Sequence, residues 1–167
     1  LVEKDLGNIS QARDIQRLAL EIGEKIYEPN NTFLITGYSN FAFLEAKLGN
    51  LEEAKQLYEK VIDIQKNIVE PNYFDLASNY NELANIEYDL KDLESARCSY
   101  KLAIEMLEKI PDFNNIELGV FYHNLAIVEK ELGNFDDSKD LFEKVIDIQK
   151  NTIEPNYLEL ANNYSLL

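Results

Sequence analysis

Cysteine is almost missing from this chain: Cys98 stands alone, so no internal disulfide can form. Nothing here calls for an oxidising compartment, and an intracellular, cytoplasmic setting is expected. Long apolar runs are missing too. No stretch approaches the ~18 residues of a membrane span, and the N-terminal residues lack a signal-peptide pattern. The sequence starts at Leu1 without a methionine and partway through a repeat, which reads as a piece of a longer protein. Positive charge is in deficit, with 16 Lys and Arg against 31 Asp and Glu for a net charge of −15. That balance opposes nucleic-acid backbones and anionic membranes, and it makes any charged partner a basic one.

The residues that carry chemistry are equally sparse. His123 is the only histidine, with no serine or cysteine partner beside it, and it is expected to make a polar surface or groove contact. Cys98 reads as an ordinary packing or surface thiol. There is no glycine loop of the phosphate-cradling kind and no Cys/His spacing suited to zinc, so neither a metal nor another cofactor is expected. The carboxylate pairs Glu52-Glu53 and Asp136-Asp137 open helices, where the exposed N–H groups favour negative charge. Nothing brings a nucleophile, a base and oxyanion donors together, so the chain is not expected to be an enzyme.

What the sequence has is repetition. FDDSKDLFEKVIDIQKNTIEPNYLEL, from Phe135 to Leu160, restates LEEAKQLYEKVIDIQKNIVEPNYFDL, from Leu51 to Leu76, at an offset of 84 residues, or two periods of 42. A fixed period of this length signals units that stack on their neighbours and share a continuous core. The array divides into a partial repeat at 1–33, repeats at 34–75, 76–117 and 118–159, and the start of a further one at 160–167.

Each unit is punctuated alike. Leu6-Gly7-Asn8, Leu48-Gly49-Asn50 and Leu132-Gly133-Asn134 read as helix stops, because glycine tolerates the left-handed conformation that ends helices. Leu90-Lys91-Asp92 takes the same place without glycine, and a less well-formed turn is expected there. A helix, B, follows each stop, with apolar residues at three- and four-residue steps, as in Leu93, Ala96, Tyr100, Ala103, Ile104 and Leu107. Its small position holds Ala12, Ala54, Ala96 and Ser138, and the position four later holds Gln16, Tyr58, Tyr100 and Phe142. Small beside large lets two helices approach closely.

Helix B is expected to end near Tyr27, Val69, Pro111 and Ile153, where Pro29, Pro71, Pro111 and Pro155 forbid continuation. Asn30, Asn72, Asn114 and Asn156 then offer N-caps, and Asp75, Glu117 and Glu159 place a carboxylate in the first turn that follows. The helix so started, A, carries Tyr38, Phe41 and Ala42, then Tyr80, Leu83 and Ala84, then Tyr122, Leu125 and Ala126; Tyr164 and Leu167 begin another. The spacing predicts helices near 9–27, 31–47, 51–69, 73–89, 93–110, 115–131, 135–153 and from 157 onward. The recurring VIDIQKN at 61–67 and 145–151 is core plus solvated face, too short for a dimerising coiled coil.

Tyr80, Leu83, Ala84, Ala96, Tyr100 and Ala103 together resemble the tetratricopeptide repeat, whose signature sets a large residue, Leu and a small residue in helix A, then Ala, an aromatic and Ala in helix B. The period of 42 is similar to the longer variety that kinesin light chains carry. The resemblance implies an all-α, right-handed superhelical α-solenoid of antiparallel helix pairs, whose concave wall is made mainly by the A helices. Carrying the family's concave positions over gives Thr36, Ser39, Asn40 and Phe43; Ser78, Asn81, Glu82 and Asn85; and Val120, His123, Asn124 and Ile127. Asparagine suits such a wall, since one amide both donates and accepts and pairs with a peptide backbone whatever its side chains.

The family's clamp for terminal carboxylates needs lysine and arginine where this chain has Ser39, Phe43, His123 and Ile127, so that mode does not transfer. Asn40 and Asn124 match the family's groove asparagine, while Glu82 interrupts the series and repels an acidic peptide. The function expected is a non-enzymatic protein–protein interaction scaffold or adaptor holding a neutral or basic partner peptide. The alternatives are a structural spacer or head-to-tail self-assembly element, in which Leu166 and Leu167 of one molecule supply what precedes Leu1 of another, and a regulatory peptide-sensing domain of a larger effector.

Overall fold

The computed structural model describes residues 2–111 and 115–151, with side chains from 7 to 111 and from 116 to 151. Among these residues there are seven helices and no strand: α1 Val2–Gly23, α2 Thr32–Lys47, α3 Leu51–Lys66, α4 Tyr73–Asp89, α5 Leu93–Glu108, α6 Asn115–Glu131 and α7 Phe135–Lys150. Helices α2, α4 and α6 are the A helices and α1, α3, α5 and α7 the B helices. Each packs on its neighbours in sequence, most extensively within the pairs α2–α3, α4–α5 and α6–α7, and α2 also touches α4. The result is a right-handed α-solenoid whose core forms two clusters, one among α1, α2 and α3 and one running from α2 to α6, with Leu57 packed against both.

The core is built from the expected alternation of sizes. Ala54, Ala96 and Ser138 are buried, as are Tyr58, Tyr100 and Phe142 one turn later. From the A helices come Phe41, Leu83 and Leu125 with Ala42, Ala84 and Ala126, all buried. Each fully buried side chain of the larger kind is worth about 1.5–3 kcal/mol over leaving it in water. The small residues let the A and B backbones close on one another.

Caps set where the A helices begin. The Asn72 side chain accepts from Phe74 N at 3.1 Å and Asp75 N at 3.3 Å, and its amide donates to Asp75 Oδ2 at 2.9 Å. In the first repeat the cap is Asn31 rather than the expected Asn30. Asn31 is extended (φ −69°, ψ 134°), which carries its oxygen to Phe33 N at 2.9 Å. Asn30 sits inside the turn closed by Asn31 N and Glu28 O at 2.9 Å, one residue too early. Asn114, Asn156 and the helix expected from 157 onward lie outside the described residues.

The B helices stop earlier than their apolar pattern suggests, at Gly23, Lys66 and Glu108 rather than near Tyr27, Val69 and Pro111. A residue before proline avoids the helical region, and the chain leaves through tighter turns such as Ile68 N to Gln65 O at 3.2 Å and Ile110 N to Leu107 O at 3.0 Å.

Two expectations about the stops are overturned. The turn at Leu90-Lys91-Asp92 is as well formed as the glycine ones: Lys91 takes φ 67° where Gly49 and Gly133 take 85°. The closing bond from Asp92 N to Glu87 O, 2.9 Å, matches Asn50 N to Glu45 O at 2.9 Å and Asn134 N to Glu129 O at 2.8 Å. Packing of α5 back onto α4 dictates this reversal, and lysine bears the strain. At Leu6-Gly7-Asn8 the reverse happens, and α1 runs without a stop from Val2 to Gly23. A lone glycine costs a helix only about 1 kcal/mol and does not by itself end it. Ala12 is exposed, unlike its buried counterparts Ala54, Ala96 and Ser138, and Gln16 turns its amide to Gly37 O at 3.2 Å.

Candidate functional site

The A helices carry the twelve positions singled out above. On α2, Thr36 and Asn40 are exposed, Ser39 is half-buried, and Phe43 is 44% exposed with Lys47 Nζ 5.0 Å from its ring centre. Thr36, Ser39 and Ser78 line a shallow cleft of about 160 Å³ between α2 and α4, beside Asp75, with Asn79 and Gln65 at its base. That base is fixed by a buried bond from Asn79 Nδ2 to Gln65 Oε1, 2.9 Å.

On α4 and α6 several of these side chains meet. Asn124 Nδ2 donates to Asn81 Oδ1 at 3.4 Å, crossing from one repeat to the next. Asn85 Nδ2 donates to Glu82 Oε2 at 3.4 Å, and Tyr100 Oη donates to Asn85 Oδ1 at 2.5 Å. Asn81 itself is only 8% exposed, whereas Glu82, Asn85 and Asn124 are half-buried. His123 is half-buried against the edge of the Phe142 ring, centres 5.6 Å apart and planes at 77°. Ile127 is half-buried and Val120 exposed at the apolar end of the strip. Asn40 and Phe43 are not joined to the α4–α6 group by any side-chain bond described.

Tyr58 and Tyr100, bulky packing residues in the repeat pattern, also bear on this strip. Their hydroxyls are pushed well above the usual phenol range, first by burial and then by the negative charge of Glu82. Both B helices flanking α4 therefore bring a tyrosine to the neighbourhood of Glu82. Among the described residues no lysine, arginine or histidine forms an ion pair with Glu82. The strip thus offers amides, hydroxyls, one carboxylate and apolar ends: it can hydrogen-bond and pair with charge.

A second set of residues passed unnoticed in the sequence. Glu45, Glu87 and Glu129, at 1%, 5% and 1% exposure, occupy one position of the A helix in three successive repeats. Each meets a base from the preceding B helix: Arg13 Nη1 at 3.3 Å from Glu45, Lys55 Nζ at 3.5 Å from Glu87, Lys101 Nζ at 2.8 Å from Glu129. Asn50 and Asn134 in the turns add amide bonds to Glu45 and Glu129 at 2.5 and 2.6 Å, and Ser99 Oγ adds one to Glu87 at 2.7 Å. These carboxylates tie repeat to repeat. Their 42-residue spacing was the available signal.

Elsewhere Cys98 is exposed. Among the described residues no group of three His, Cys, Asp or Glu side chains is placed to hold a metal. No described helix is long and apolar enough to cross a membrane.

Family models of the tetratricopeptide repeat match residues 33–109 and 120–156. The fold is similar to that of BtubC (BKLC) from P. vanneervenii, with a TM-score of 0.85 at 22% identity over 98% of this chain. The chain spans 65% of that protein's length. It is similar as well to a putative kinesin light chain with nearly identical TPR-like repeats from Podosopora anserina, with a TM-score of 0.81 at 20% identity, covering 96% of this chain and 79% of that one. A point-substituted form of the latter protein gives a TM-score of 0.82. At such identities the likeness is one of fold. No curated protein sequence matches the chain significantly.

Proposed function

The chain belongs to the tetratricopeptide repeat family, whose repeats generally mediate protein–protein interaction, and from that premise we propose that it is a non-enzymatic scaffold holding a neutral or basic peptide along the face of α2, α4 and α6. The observation that carries this reading is the polar strip of Asn81, Glu82, Asn85 and Asn124, continuous from α4 to α6 through the Asn124–Asn81 bond. Amides spaced along a row of parallel A helices suit an extended backbone. A net charge of −15 and the carboxylate of Glu82 favour basic over acidic side chains in that backbone. The partner belongs to the cytoplasm on this reading.

The test is binding to a diverse immobilised peptide library at low and high salt, with the Asn81→Ala, Asn85→Ala, Asn124→Ala triple variant beside the wild type. Salt-sensitive capture of basic or neutral peptides, lost in the variant, supports the reading. Capture of acidic peptides, or binding indifferent to the three asparagines, overturns it.

A spacer or head-to-tail role is favoured by one other observation. Ile15 and Ile22 of α1 are 71% and 51% exposed, whereas their counterparts Leu57 and Ile64 on α3 are half-buried and Met106 on α5 is buried. That face has the chemistry of a helix–helix contact. Sedimentation at rising concentration tests it: association abolished by Ile15→Glu with Ile22→Glu supports the reading, and a strict monomer refutes it. Leu166 and Leu167, the other half of the expected contact, lie outside the described residues.

A further inference from the structure

We infer that Glu82 is the receptor for one lysine or arginine side chain of the bound peptide, aimed by Asn85 and Tyr100; the inference rests on the peptide-binding reading above. Among the described residues three glutamates are deeply buried, and each has a base within 3.5 Å. Glu82, half-buried on the A-helix face, has one side-chain bond among the described residues, from Asn85 Nδ2 at a long 3.4 Å. A carboxylate has room for about four hydrogen bonds, so most of its acceptor capacity is uncommitted. A partly desolvated carboxylate with no counter-charge is costly, and a cationic side chain that arrives with N–H donors removes that cost.

The orientation of the receptor is set by its neighbours. Tyr100 donates its hydroxyl proton to Asn85 Oδ1 at 2.5 Å, which turns the amide nitrogen of Asn85 toward Glu82. The chain of Tyr100, Asn85 and Glu82 therefore runs donor to acceptor in one direction and ends on a carboxylate with no ion pair among the described residues. Burial of the Tyr58 and Tyr100 rings keeps both hydroxyls protonated, with the charge of Glu82 adding to the effect. Neither tyrosine competes as an anion for the guest cation.

The arrangement also fixes register. The residues at the same place in the flanking repeats are Asn40 and Asn124, both neutral. One charge reader thus sits between two amide readers. A peptide that puts Lys or Arg over α4 has neutral residues over α2 and α6, and shifting it by one repeat strands the cation on an amide.

The experiment uses a positional-scanning peptide library in which each site is in turn Lys, Arg, acetyl-lysine, Ala or Glu, read against wild type, Glu82→Gln and the triple asparagine variant. The expected result is one position where Lys or Arg binds wild type about 10- to 100-fold tighter than acetyl-lysine, a ratio that collapses toward one in Glu82→Gln. Acetyl-lysine probes the charge without altering the protein. An undiminished Lys or Arg preference in Glu82→Gln overturns the inference while leaving the groove reading in place, provided the triple variant has lost binding. Failure of every peptide to bind wild type overturns both.

Discussion

Glu87 and Glu129 hold the same place in successive repeats, yet replacing each with glutamine is expected to have opposite pH signatures. Glu129 receives Lys101 Nζ at 2.8 Å and Asn134 Nδ2 at 2.6 Å. Burial works to raise its pKa, but these donors prevail and its carboxyl lies below the usual range. Lys101 is more than half exposed, so its share is that of a surface pair, about 0.5–1 kcal/mol. The Asn134 bond to a buried charge is worth about 1.5–3 kcal/mol. Glu129→Gln should therefore cost about 2–4 kcal/mol at neutral pH, or about 5–15 °C in melting temperature for a chain of this size.

A depressed folded pKa contributes stability that is present above the unfolded value, near 4.3, and lost as pH falls through the folded one. The gap between wild type and Glu129→Gln should accordingly close on acidification. Glu87 differs because burial outweighs the Ser99 bond and a Lys55 contact of 3.5 Å, and its carboxyl is pushed up. The native state then binds that proton more tightly than the unfolded state. Wild type should gain on Glu87→Gln as pH falls, and the neutral-pH loss should be about 1 kcal/mol or less. Urea titrations followed by circular dichroism at several pH values read both gaps. Gaps that close together, or a Glu129→Gln loss that persists unchanged in acid, would refute the reasoning.

Ala96 is fully buried between α4 and α5, so Ala96→Leu should overpack the pair and lower stability by about 1–3 kcal/mol in a denaturant titration. Lys91 bears a left-handed φ of 67°. Lys91→Gly should raise stability by about 0.5–1 kcal/mol, visible as a higher melting temperature, and a loss would mean the lysine is held there by something other than the turn. Asn124 makes one long bond, 3.4 Å, from a half-buried place. Asn124→Ala should cost less than about 1 kcal/mol in the same titration, and a larger loss would mean the amide serves the fold instead of the groove.

The helices were legible because their signals are local and repeated. Asn72 with Asp75 marks the start of α4, Gly49 and Gly133 mark reversals, and the Ala–Tyr spacing on α3 and α5 marks their buried faces. Lys91 misled because packing of a helix pair outweighs the preference of one turn residue. Gly7 misled because a single glycine inside a helical pattern is tolerated and need not end the helix. Glu45, Glu87 and Glu129 sit in the last turns of their helices, where an acidic residue ordinarily faces water, and their recurrence every 42 residues was the one local mark against that. The link from Tyr100 through Asn85 to Glu82 joins two helices, and no periodicity within either one announces it.

On the proposed function a peptide lies along α2, α4 and α6. The most direct measurement is backbone amide chemical-shift mapping of the protein as the tightest library peptide is titrated in. Shifts concentrated at Asn81, Glu82, Asn85 and Asn124, with α1 and the outer faces of α3 and α5 silent, are the predicted result. Shifts centred on Ile15, Leu18 and Ile22 of α1, with the strip on α4 and α6 unchanged, would contradict it.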